Sequence, residues 1–443
     1  MKEHNPGIAI IGGYGGMGKF FAEIFAKEGY SVVITGPNEV TGKEVARKLR
    51  VAYEKNNVEA ACNADIVMVS VPINVTLDVI AEVAPRVRKG ALLMDVTSVK
   101  EKPCQYMDKY ARSGVEVVGT HPIFSHRVGT LEGQVFVLTP VRAGKWLPWL
   151  RRFLERHKVR IFTTTPAEHD RVMAVVQGLT HFAYISVGKT LEELDFDIKE
   201  SRKYASPVYD LMLDMIGRII GQNPELYASI QMQNPQVPAI HKAFLETASE
   251  LSDSVKKKDE KTFVRIMKEA ARHFDDLERA MGRSDKAIYS LVSELDRLKG
   301  SIGMELCLRH IYSGKMHLGI VKGVSPETVV LDENGKESAL KISNIQILGD
   351  AERINYKKEV YGTVGRDFSV VLEEKVDEGF IIGLLKDYDG NIIDAKVKDV
   401  YHGKQIGDAK KSVCFGLELI DAEVKKTQER INMFFSGIGG RLR

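Results

Sequence analysis

The sequence predicts an α/β domain with a doubly wound parallel sheet, followed by an all-α domain, a small β-rich segment and an α+β domain. In the N-terminal part, short apolar runs alternate with helical stretches, which is typical of parallel strands joined by helical crossovers. A long, nearly all helix-forming stretch follows, and short strands return only after it. Since 443 residues exceed what one hydrophobic core organises, we expect separate domains at 1–166, 167–300, 301–356 and 357–443.

The α/β domain is predicted to contain six buried strands. The first strand leads into a helix from Met17 to Glu28, and Gly29 is suited to end that helix. The expected strands cover residues 7–13, 31–35, 64–71, 92–96, 115–118 and 134–138.

The all-α domain carries more apolar surface than one buried stripe requires. The expected helices at 171–192 and 207–221 are apolar on more than one face. Such helices either pack within one chain or share a core with a second copy, and the residues leave both arrangements open. We expect a homodimer through this domain.

Short strands and tight turns characterise the C-terminal part. Residues 332–335, Asp-Glu-Asn-Gly, predict a hairpin turn. Beyond residue 357 we expect the order strand, helix, strand, strand, helix. The expected segments are strands 317–321, 328–331, 345–348, 368–374, 391–400 and 411–420, and helices 377–387 and 421–435.

Composition excludes several classes of protein. Lys and Arg number 63 against 60 Asp and Glu, and this balance argues against a nucleic-acid partner. Apolar runs stay well short of the ~18 residues that a membrane span needs, so we expect no membrane partner. The four cysteines form no CxxC pair, so no zinc or other metal site is expected. Residues 1–6 lead directly into a strand, which predicts no signal peptide and a cytoplasmic location.

A glycine-rich turn follows the first strand. Gly13, Gly15 and Gly18 fit the G-x-G-x-x-G pattern between a strand and a helix, which is the context of a Rossmann dinucleotide site. There Gly13 is expected to permit the tight turn, Gly15 to let the backbone approach the pyrophosphate, and Gly18 to let the helix pack closely. The helix N-terminus offers N–H groups to the phosphates. The expected cofactor-binding residues are Gly13, Tyr14, Gly15, Gly16, Met17, Gly18, Thr35, Asn38, Val71 and Pro72.

The end of the second strand bears on the choice between NAD and NADP. An acidic residue there binds the ribose 2′-hydroxyl in NAD enzymes. This chain has Thr35-Gly-Pro-Asn38 instead, with Glu39 only beyond the usual place. The missing acid favours NADP over NAD.

Two further strand ends carry candidates for the chemistry. His121 follows the fifth strand, and its near-neutral ordinary pKa suits a proton acceptor. Ser98 follows the fourth strand, at an edge where ligands of such sheets bind. A structural histidine and a helix-capping serine are the alternatives.

Several motifs, in order, resemble the prephenate and arogenate dehydrogenase (TyrA) family over about residues 7–280. The motifs that carry the resemblance are the glycine fingerprint, Asp95-Val-Thr-Ser-Val-Lys100, Gly119-Thr-His-Pro122, Gly133-Gln-Val-Phe-Val-Leu138, Glu168-His-Asp170, Gly178-Leu-Thr-His181-Phe, Ser206-Pro-Val-Tyr209, Met215-Ile-Gly-Arg218 and Asn223-Pro-Glu-Leu-Tyr-Ala228.

The resemblance implies the oxidative decarboxylation of prephenate to 4-hydroxyphenylpyruvate. It implies that His121 contacts the C4 hydroxyl, that Ser98 orients it, and that Arg218 binds a substrate carboxylate through its planar guanidinium. It places His181 near the active-site cleft, and it implies that His169 with Asp170 organises the domain junction. A surface ion pair for Arg218 and a satisfied core position for His181 are the alternatives.

Asp210 is a departure from the pattern, because some relatives carry a basic residue there. A second cationic substrate contact is therefore not expected at this position.

The last ~85 residues resemble the ferredoxin-fold anticodon-binding domain at the end of phenylalanyl-tRNA synthetase β chains. The segments that carry this resemblance are 366–372, 399–403, 410–415 and 440–443. Residues 357–443 hold 15 basic and 15 acidic side chains, and this neutral balance is a poor footprint for RNA. We therefore expect the domain to bind an amino-acid effector or to mediate assembly, with a purely structural appendage as the alternative.

Three competing functions remain at this point. Arogenate differs from prephenate only in carrying an amino group in place of the side-chain keto group, so an arogenate dehydrogenase is open. Another reductase with a Rossmann domain and a helical dimerisation domain would share the architecture but lack the pairing of His121 with Arg218. A cofactor-binding regulator or an RNA-binding module is the alternative outside enzymes.

Overall fold

The computed structural model describes residues 5–403, 405–407 and 409–443. The prediction that the chain has no signal peptide rests on residues 1–6, and residues 1–4 lie outside the described residues. The chain divides into two compact units, one up to residue 280 and one from residue 281.

The first unit begins with a sheet of eight strands among the described residues, in the order β3-β2-β1-β4-β5-β6-β7-β8. Neighbouring strands are parallel except for the antiparallel pair β6 and β7. The strands are β1 (Gly7–Ile11), β2 (Ser31–Ile34), β3 (Ala52–Tyr53), β4 (Ile66–Val69), β5 (Leu92–Asp95), β6 (Glu116–Pro122), β7 (Val135–Arg142) and β8 (Arg160–Thr163). The predicted parallel sheet is confirmed for β1, β2, β4, β5 and β6. It is wrong for β7, because residues 123–134 form no helix that could carry the chain back for a parallel pairing.

Helices cover both faces of this sheet. Alternate residues along the strands pack into two separate cores, one built with Phe21, Phe25 and Phe153, the other with Ile80 and Met107. The helices are α1 (Gly16–Lys27), α2 (Glu39–Leu49), α3 (Asn57–Asn63), α4 (Ile73–Val83), α5 (Glu101–Tyr110) and α6 (Trp146–Arg156). The expected end of α1 is confirmed, since Gly29 has a φ of +81°.

The remainder of the first unit is helical. Its helices are α7 (Pro166–Met173), α8 (Thr180–Glu193), α9 (Ile198–Ser201), α10 (Pro207–Ile220), α11 (Pro224–Gln233), α12 (Val237–Lys257) and α13 (Glu260–His273), and α14 (Leu277–Gly300) continues into the second unit. A π-helical turn, Ala174–Leu179, separates α7 from α8. Within the chain, α8 has no buried residue. Apolar side chains on these helices remain exposed, among them Val172, Val175, Val176, Ile185, Val187, Val208, Met215 and Ile220.

The second unit contains an antiparallel sheet in the order β12-β11-β10-β9-β13. Its elements are β9 (Glu305–His310), β10 (Met316–Val324), β11 (Thr328–Glu333), β12 (Lys336–Lys341) and β13 (Ile345–Ile347), followed by α15 (Asp350–Tyr361). The predicted turn at 332–335 is confirmed, because Asn334 and Gly335 have φ values of 56° and 86°. It joins β11 to β12, which was not predicted, and the expected strand at 345–348 pairs with β9 instead. Since α15 runs across residue 357, we propose that the last domain boundary lies before this helix.

A ferredoxin-like fold completes the second unit. Its elements are β14 (Thr363–Glu373), α16 (Glu378–Tyr388), β15 (Ile392–Tyr401), β16 (Lys410–Ile420), α17 (Val424–Gly437) and β17 (Arg441–Leu442). The sheet order is β15-β16-β14-β17, and all of its pairings are antiparallel. The predicted α+β domain is confirmed; the short last strand was not predicted.

In the part of the chain that the structure describes, no helix is both long and apolar enough to cross a membrane. The four cysteines are all free thiols.

Candidate active site

The glycine-rich turn has open space on its outer side. A Cβ on Gly15 would have nothing within 4 Å, whereas a Cβ on Gly18 would lie 2.6 Å from the backbone oxygen of Gly12. Gly15 is the N-cap of α1, so the N–H groups of the first turn receive no side-chain cap. This arrangement fits a bound pyrophosphate, and it agrees with the roles expected for Gly15 and Gly18.

The role expected for Gly13 requires a correction. Gly12 makes the turn, with a φ of +83°, and a Cβ there would meet the backbone oxygen of Ser70 at 2.3 Å. A Cβ on Gly13 would instead lie 2.7 Å from the side chain of Ile34, so glycine is needed at this position for close packing on β2. Val71 lies beside the same turn, with Cγ1 2.8 Å from the Cβ position of Gly12.

The other predicted cofactor residues surround this turn. Tyr14 lies over Gly36 and accepts a 3.2 Å hydrogen bond from the backbone N–H of Asn38. The Asn38 side chain caps α2, and exposed Pro72 precedes α4 as its N-cap. Thr35 is fully buried, and its hydroxyl bonds Gly12 N–H and Asn57 Oδ1. We therefore revise its role from a direct cofactor contact to a support beneath the turn.

His121, near the end of β6, heads a buried chain of hydrogen bonds. Its Nδ1 lies 2.8 Å from Nε2 of His169, and Nδ1 of His169 lies 2.7 Å from the carboxylate of Asp170. All three residues are at most 2% exposed. The Asp170 carboxylate also accepts the backbone N–H groups of Lys100, at 2.7 Å, and Glu101, at 2.9 Å.

This chain of hydrogen bonds selects one tautomer of His121. Since a carboxylate only accepts, Nδ1 of His169 donates to Asp170, and Nε2 of His169 must then accept from Nδ1 of His121. Nε2 of His121 is left as the nitrogen with a free lone pair. Burial first, and then electrostatic interactions with His169 and Lys100, hold the pKa of His121 well below its ordinary value, so the ring is neutral and able to accept a proton.

A fully buried ion pair supports the end of β6, which carries His121, and the loop after β5, which carries Ser98. Nζ of Lys100 bonds the carboxylate of Asp95, at the end of β5, and donates to the backbone oxygen of Thr120 at 2.8 Å. Asp95 and Lys100 both have 0% exposure. Because Thr120 directly precedes His121, this ion pair ties the ends of β5 and β6 together.

Ser98 lies between these anchored residues. Its neighbour Thr97 is occupied, since the Thr97 hydroxyl bonds Asp95 and the backbone oxygen of Val99. Ser98 is half-buried, and no residue within the described ranges bonds its hydroxyl. It is therefore available to a ligand, and it does not cap a helix, because Lys100 is the N-cap of α5.

Helix α11 joins the helical region to this edge of the sheet. Ile230 packs with Ile73 and with Val99, the residue after Ser98. One turn earlier on α11, the ring of Tyr227 lies 4.5 Å from the ring of His181.

His181 does not have the environment of a satisfied core histidine. Its Nδ1 is buried without a hydrogen-bond partner among the described residues, and burial lowers its pKa to about 4. The Oε1 atom of Gln177, one turn earlier, is likewise buried and unpartnered. Buried polar atoms normally have partners, so both atoms indicate a place for a polar ligand.

Arg218 lies on the last turn of α10 and is exposed. Its charge acts on Tyr227, where it opposes the rise in the pKa of that residue caused by burial. No carboxylate of the described residues forms an ion pair with Arg218, so the surface ion pair considered as its alternative is absent there. Asp210, by contrast, is engaged by Arg202 at 2.8 Å.

A dinucleotide-binding turn and a histidine held as a neutral proton acceptor, on one sheet, define a nicotinamide-dependent dehydrogenase. Models described as "Prephenate dehydrogenase, nucleotide-binding domain" and "Prephenate dehydrogenase, dimerization domain" match residues 21–163 and 165–269. The "Ferredoxin-fold anticodon binding domain" matches residues 360–443. The chain belongs to the prephenate/arogenate dehydrogenase family.

Individual relatives agree with this assignment. A "Probable arogenate/prephenate dehydrogenase" of Methanocaldococcus jannaschii is 43% identical over 448 residues and covers 100% of both chains. The "T-protein" of Haemophilus influenzae is 29% identical over 288 residues, which is 65% of this chain and 72% of that protein. The structure of prephenate dehydrogenase from A. aeolicus with hydroxyphenyl propionate and NAD+ has a TM-score of 0.50 at 21% identity, covers 62% of this chain and 98% of its own, and shows the shared fold.

Reasoning from sequence missed the connection between His169 and His121. The signal available was the Glu168-His-Asp170 motif, which we assigned only to the domain junction. Gln177 and the buried charge of Lys100 were also missed, because nothing in the local pattern distinguishes them from surface residues.

Proposed function

We propose that the chain catalyses the oxidative decarboxylation of prephenate to 4-hydroxyphenylpyruvate with NAD(P), in tyrosine biosynthesis. The observation that carries this proposal is the hydrogen-bonded chain from Asp170 through His169 to His121, with distances of 2.7 and 2.8 Å. It supplies a neutral base beside a dinucleotide-binding sheet, and a base is what the oxidation of a secondary alcohol requires.

The turn Gly12–Gly18 and the uncapped first turn of α1 would hold the cofactor. When bound, its nicotinamide accepts the hydride that leaves C4 of the substrate. Of the two cofactors we favour NADP, because Glu39 is already occupied by Lys43, at 2.7 Å, and Lys55, at 3.3 Å, and offers no free carboxylate to a ribose.

His121 accepts the C4 hydroxyl proton at Nε2 while the hydride departs. The ring carboxylate then leaves as CO2, and its bonding electrons flow into the ring and onto the C4 oxygen. His121 returns the proton to that oxygen, so the reaction releases no net proton. Ser98, with its uncommitted hydroxyl, orients the substrate hydroxyl towards His121.

The two carboxylates of prephenate require positive charge or hydrogen-bond donors. Arg218 is the cation we assign to one of them, since its guanidinium is exposed and its charge acts on Tyr227, the ring neighbour of His181. Nδ1 of His181 is buried and unpartnered and can donate to the side chain of prephenate, whereas the unpartnered atom of Gln177, Oε1, is an acceptor. Arogenate is the second candidate substrate, because an amide oxygen such as that of Gln177 accepts a bond from an ammonium group as readily as an amide N–H donates to a keto group.

The helical region is proposed to form a homodimer. The exposed apolar side chains of α8 and α10, including Ile185 and Ile220, would be covered by a second copy.

The experiment that tests the proposal is a steady-state assay of nicotinamide reduction. Prephenate and arogenate are each offered with NAD+ and with NADP+, and turnover is followed by the absorbance of the reduced cofactor. We expect kcat/KM to be highest with prephenate and NADP+. Turnover of arogenate alone would reject the assignment of prephenate, and no turnover with either substrate would reject the proposed function.

A further inference from the structure

The open face of the ferredoxin-like sheet contains a depression that the proposed dehydrogenase chemistry does not use. Its volume is about 200 Å³, and it lies over the three strands β14, β15 and β16. Its lining residues are Gly365, Asp367, Asp394, Lys396, Lys398, Gly416, Leu417 and Glu418.

Two glycines form the low part of this depression. Gly416 pairs with Asp367 on one side and with Lys396 on the other, and the side chain of Lys398 crosses it, with Cε 2.6 Å from its Cβ position. Gly365 is different, because a Cβ there would have nothing within 4 Å. Glycine is unfavourable inside a strand, and no contact with the residues that the structure describes requires it at Gly365. Such a glycine often marks a place where a ligand approaches the backbone.

Some of the charged side chains around the depression form ion pairs within the described ranges, and others do not. Asp367 is bound by Lys398 at 2.6 Å, and Asp394 by Lys386 at 2.8 Å. Lys396 and Glu418 are diagonal neighbours on the same face, yet within the described ranges neither forms an ion pair. The depression therefore presents a cation, Lys396, whose charge acts on Asp394 without forming an ion pair within the described ranges, and an anion, Glu418, that likewise forms none there. The two lie at diagonal positions on neighbouring strands, beside Gly416.

We propose that this depression binds a free α-amino acid, with the ligand carboxylate at Lys396 and the ligand ammonium group at Glu418. A zwitterion complements this pair of charges, whereas the phosphates of a nucleotide would meet three carboxylates, those of Asp367, Asp394 and Glu418. The binding site is independent of the proposed dehydrogenase activity, so the two proposals fail separately.

The first test is calorimetric titration of the full chain with L-phenylalanine and L-tyrosine. N-acetyl-L-phenylalanine lacks the ammonium group and L-phenylalaninamide lacks the carboxylate, so both should bind roughly tenfold more weakly or worse, as expected for one lost charge-assisted contact. If neither amino acid binds, or if either blocked analogue binds as well as L-phenylalanine, the proposal is wrong.

The second test locates the site. Gly365→Val should fill the depression without meeting the protein, and Lys396→Gln and Glu418→Gln should each remove one charged contact; each should weaken binding at least tenfold. The matched controls are Ser369→Val, on the same strand and face, and Lys375→Gln, an exposed lysine outside the depression. These controls should bind within about twofold of wild type.

Folding of each variant is checked by thermal unfolding and by prephenate turnover. If Gly365→Val does not fold, the two charge variants decide the outcome. Amino-acid binding that survives all three variants would place the ligand elsewhere and overturn the proposal. The proposal would also be overturned if these variants weaken tRNA binding and leave amino-acid binding unchanged.

Discussion

Replacing Asp170 with Asn tests whether the hydrogen-bonded chain sets the tautomer of His121. The substitution keeps the size of the side chain but places an N–H donor within reach of His169. If that N–H faces Nδ1 of His169, the imidazole must donate from Nε2, and Nδ1 of His121 must accept. Nε2 of His121 then carries the proton and cannot act as a base.

The expected effect is a large loss of kcat with little change in KM. A misplaced tautomer removes general-base catalysis, which corresponds to a loss of ~10²–10⁴ in rate, or about 3–5 kcal/mol in the barrier. The assay is steady-state turnover of prephenate across a range of pH, combined with ¹⁵N NMR of the histidine rings. The NMR spectrum should show the free lone pair of His121 moving from Nε2 to Nδ1.

A matched control is available two residues away. Glu168→Gln makes the same change from acid to amide, but Glu168 forms its ion pair with exposed Arg171 on the surface. This variant should keep kcat within about twofold, since exposed ion pairs contribute little. If the spectrum shows the proton of His121 on Nε2 in Asp170→Asn and kcat is nevertheless normal, the reasoning about the tautomer is refuted.

The remaining predictions concern the base, the substrate, the cofactor and the assembly. His121→Asn should lower kcat by ~10²–10⁴ at nearly constant KM. In the wild type, the acid limb of the kcat/KM profile should lie below pH 6.5, because burial lowers the pKa of His121 and only the neutral ring accepts a proton. An unchanged kcat in the variant, or an acid limb above pH 6.5, would contradict this. Arg218→Ala should cost about 2–5 kcal/mol in kcat/KM and Arg218→Lys should recover only part of it, whereas a wild-type kcat/KM for the alanine variant would make Arg218 an ordinary surface cation. Gly15→Val should fold normally but raise the KM for NAD(P) at least tenfold, because its side chain enters the open space outside the turn; equal KM values would exclude a cofactor there. Val176→Asp with Ile220→Asp should convert a dimer into a monomer in sedimentation at micromolar concentration, and a wild-type monomer would reject the dimer itself.

Six strands of the central sheet could be predicted because each is a short, largely buried apolar run. Less apolar strands were missed: β8 is mostly exposed at the sheet edge, and β12 has the polar sequence Lys-Glu-Ser-Ala-Leu-Lys. Short strands such as β3 and β17, with two residues each, carry too little pattern to be recognised. In these cases neighbouring strands, and not the local sequence, determine the structure.

Several motifs of the family resemblance prove to start helices. Ser206 and Asn223 are N-caps of α10 and α11, each followed by a proline in the first turn. These residues therefore place Arg218 and Tyr227 through local rules that a sequence displays. The pairing of His121 with His169 follows no local rule, because 48 residues separate them and only the packing of α7 against α5 brings them together.

The most direct test of the account follows the hydrogen on C4 of the substrate. Prephenate carrying deuterium at C4 is turned over by the enzyme, and the reduced cofactor and the aromatic product are isolated and analysed by mass spectrometry. The account predicts one deuterium in the reduced nicotinamide for each CO2 released, no deuterium anywhere in the 4-hydroxyphenylpyruvate, and a transfer slowed by ~10²–10⁴ in His121→Asn. Reduced cofactor without deuterium, or release of CO2 without reduction of the cofactor, would contradict it.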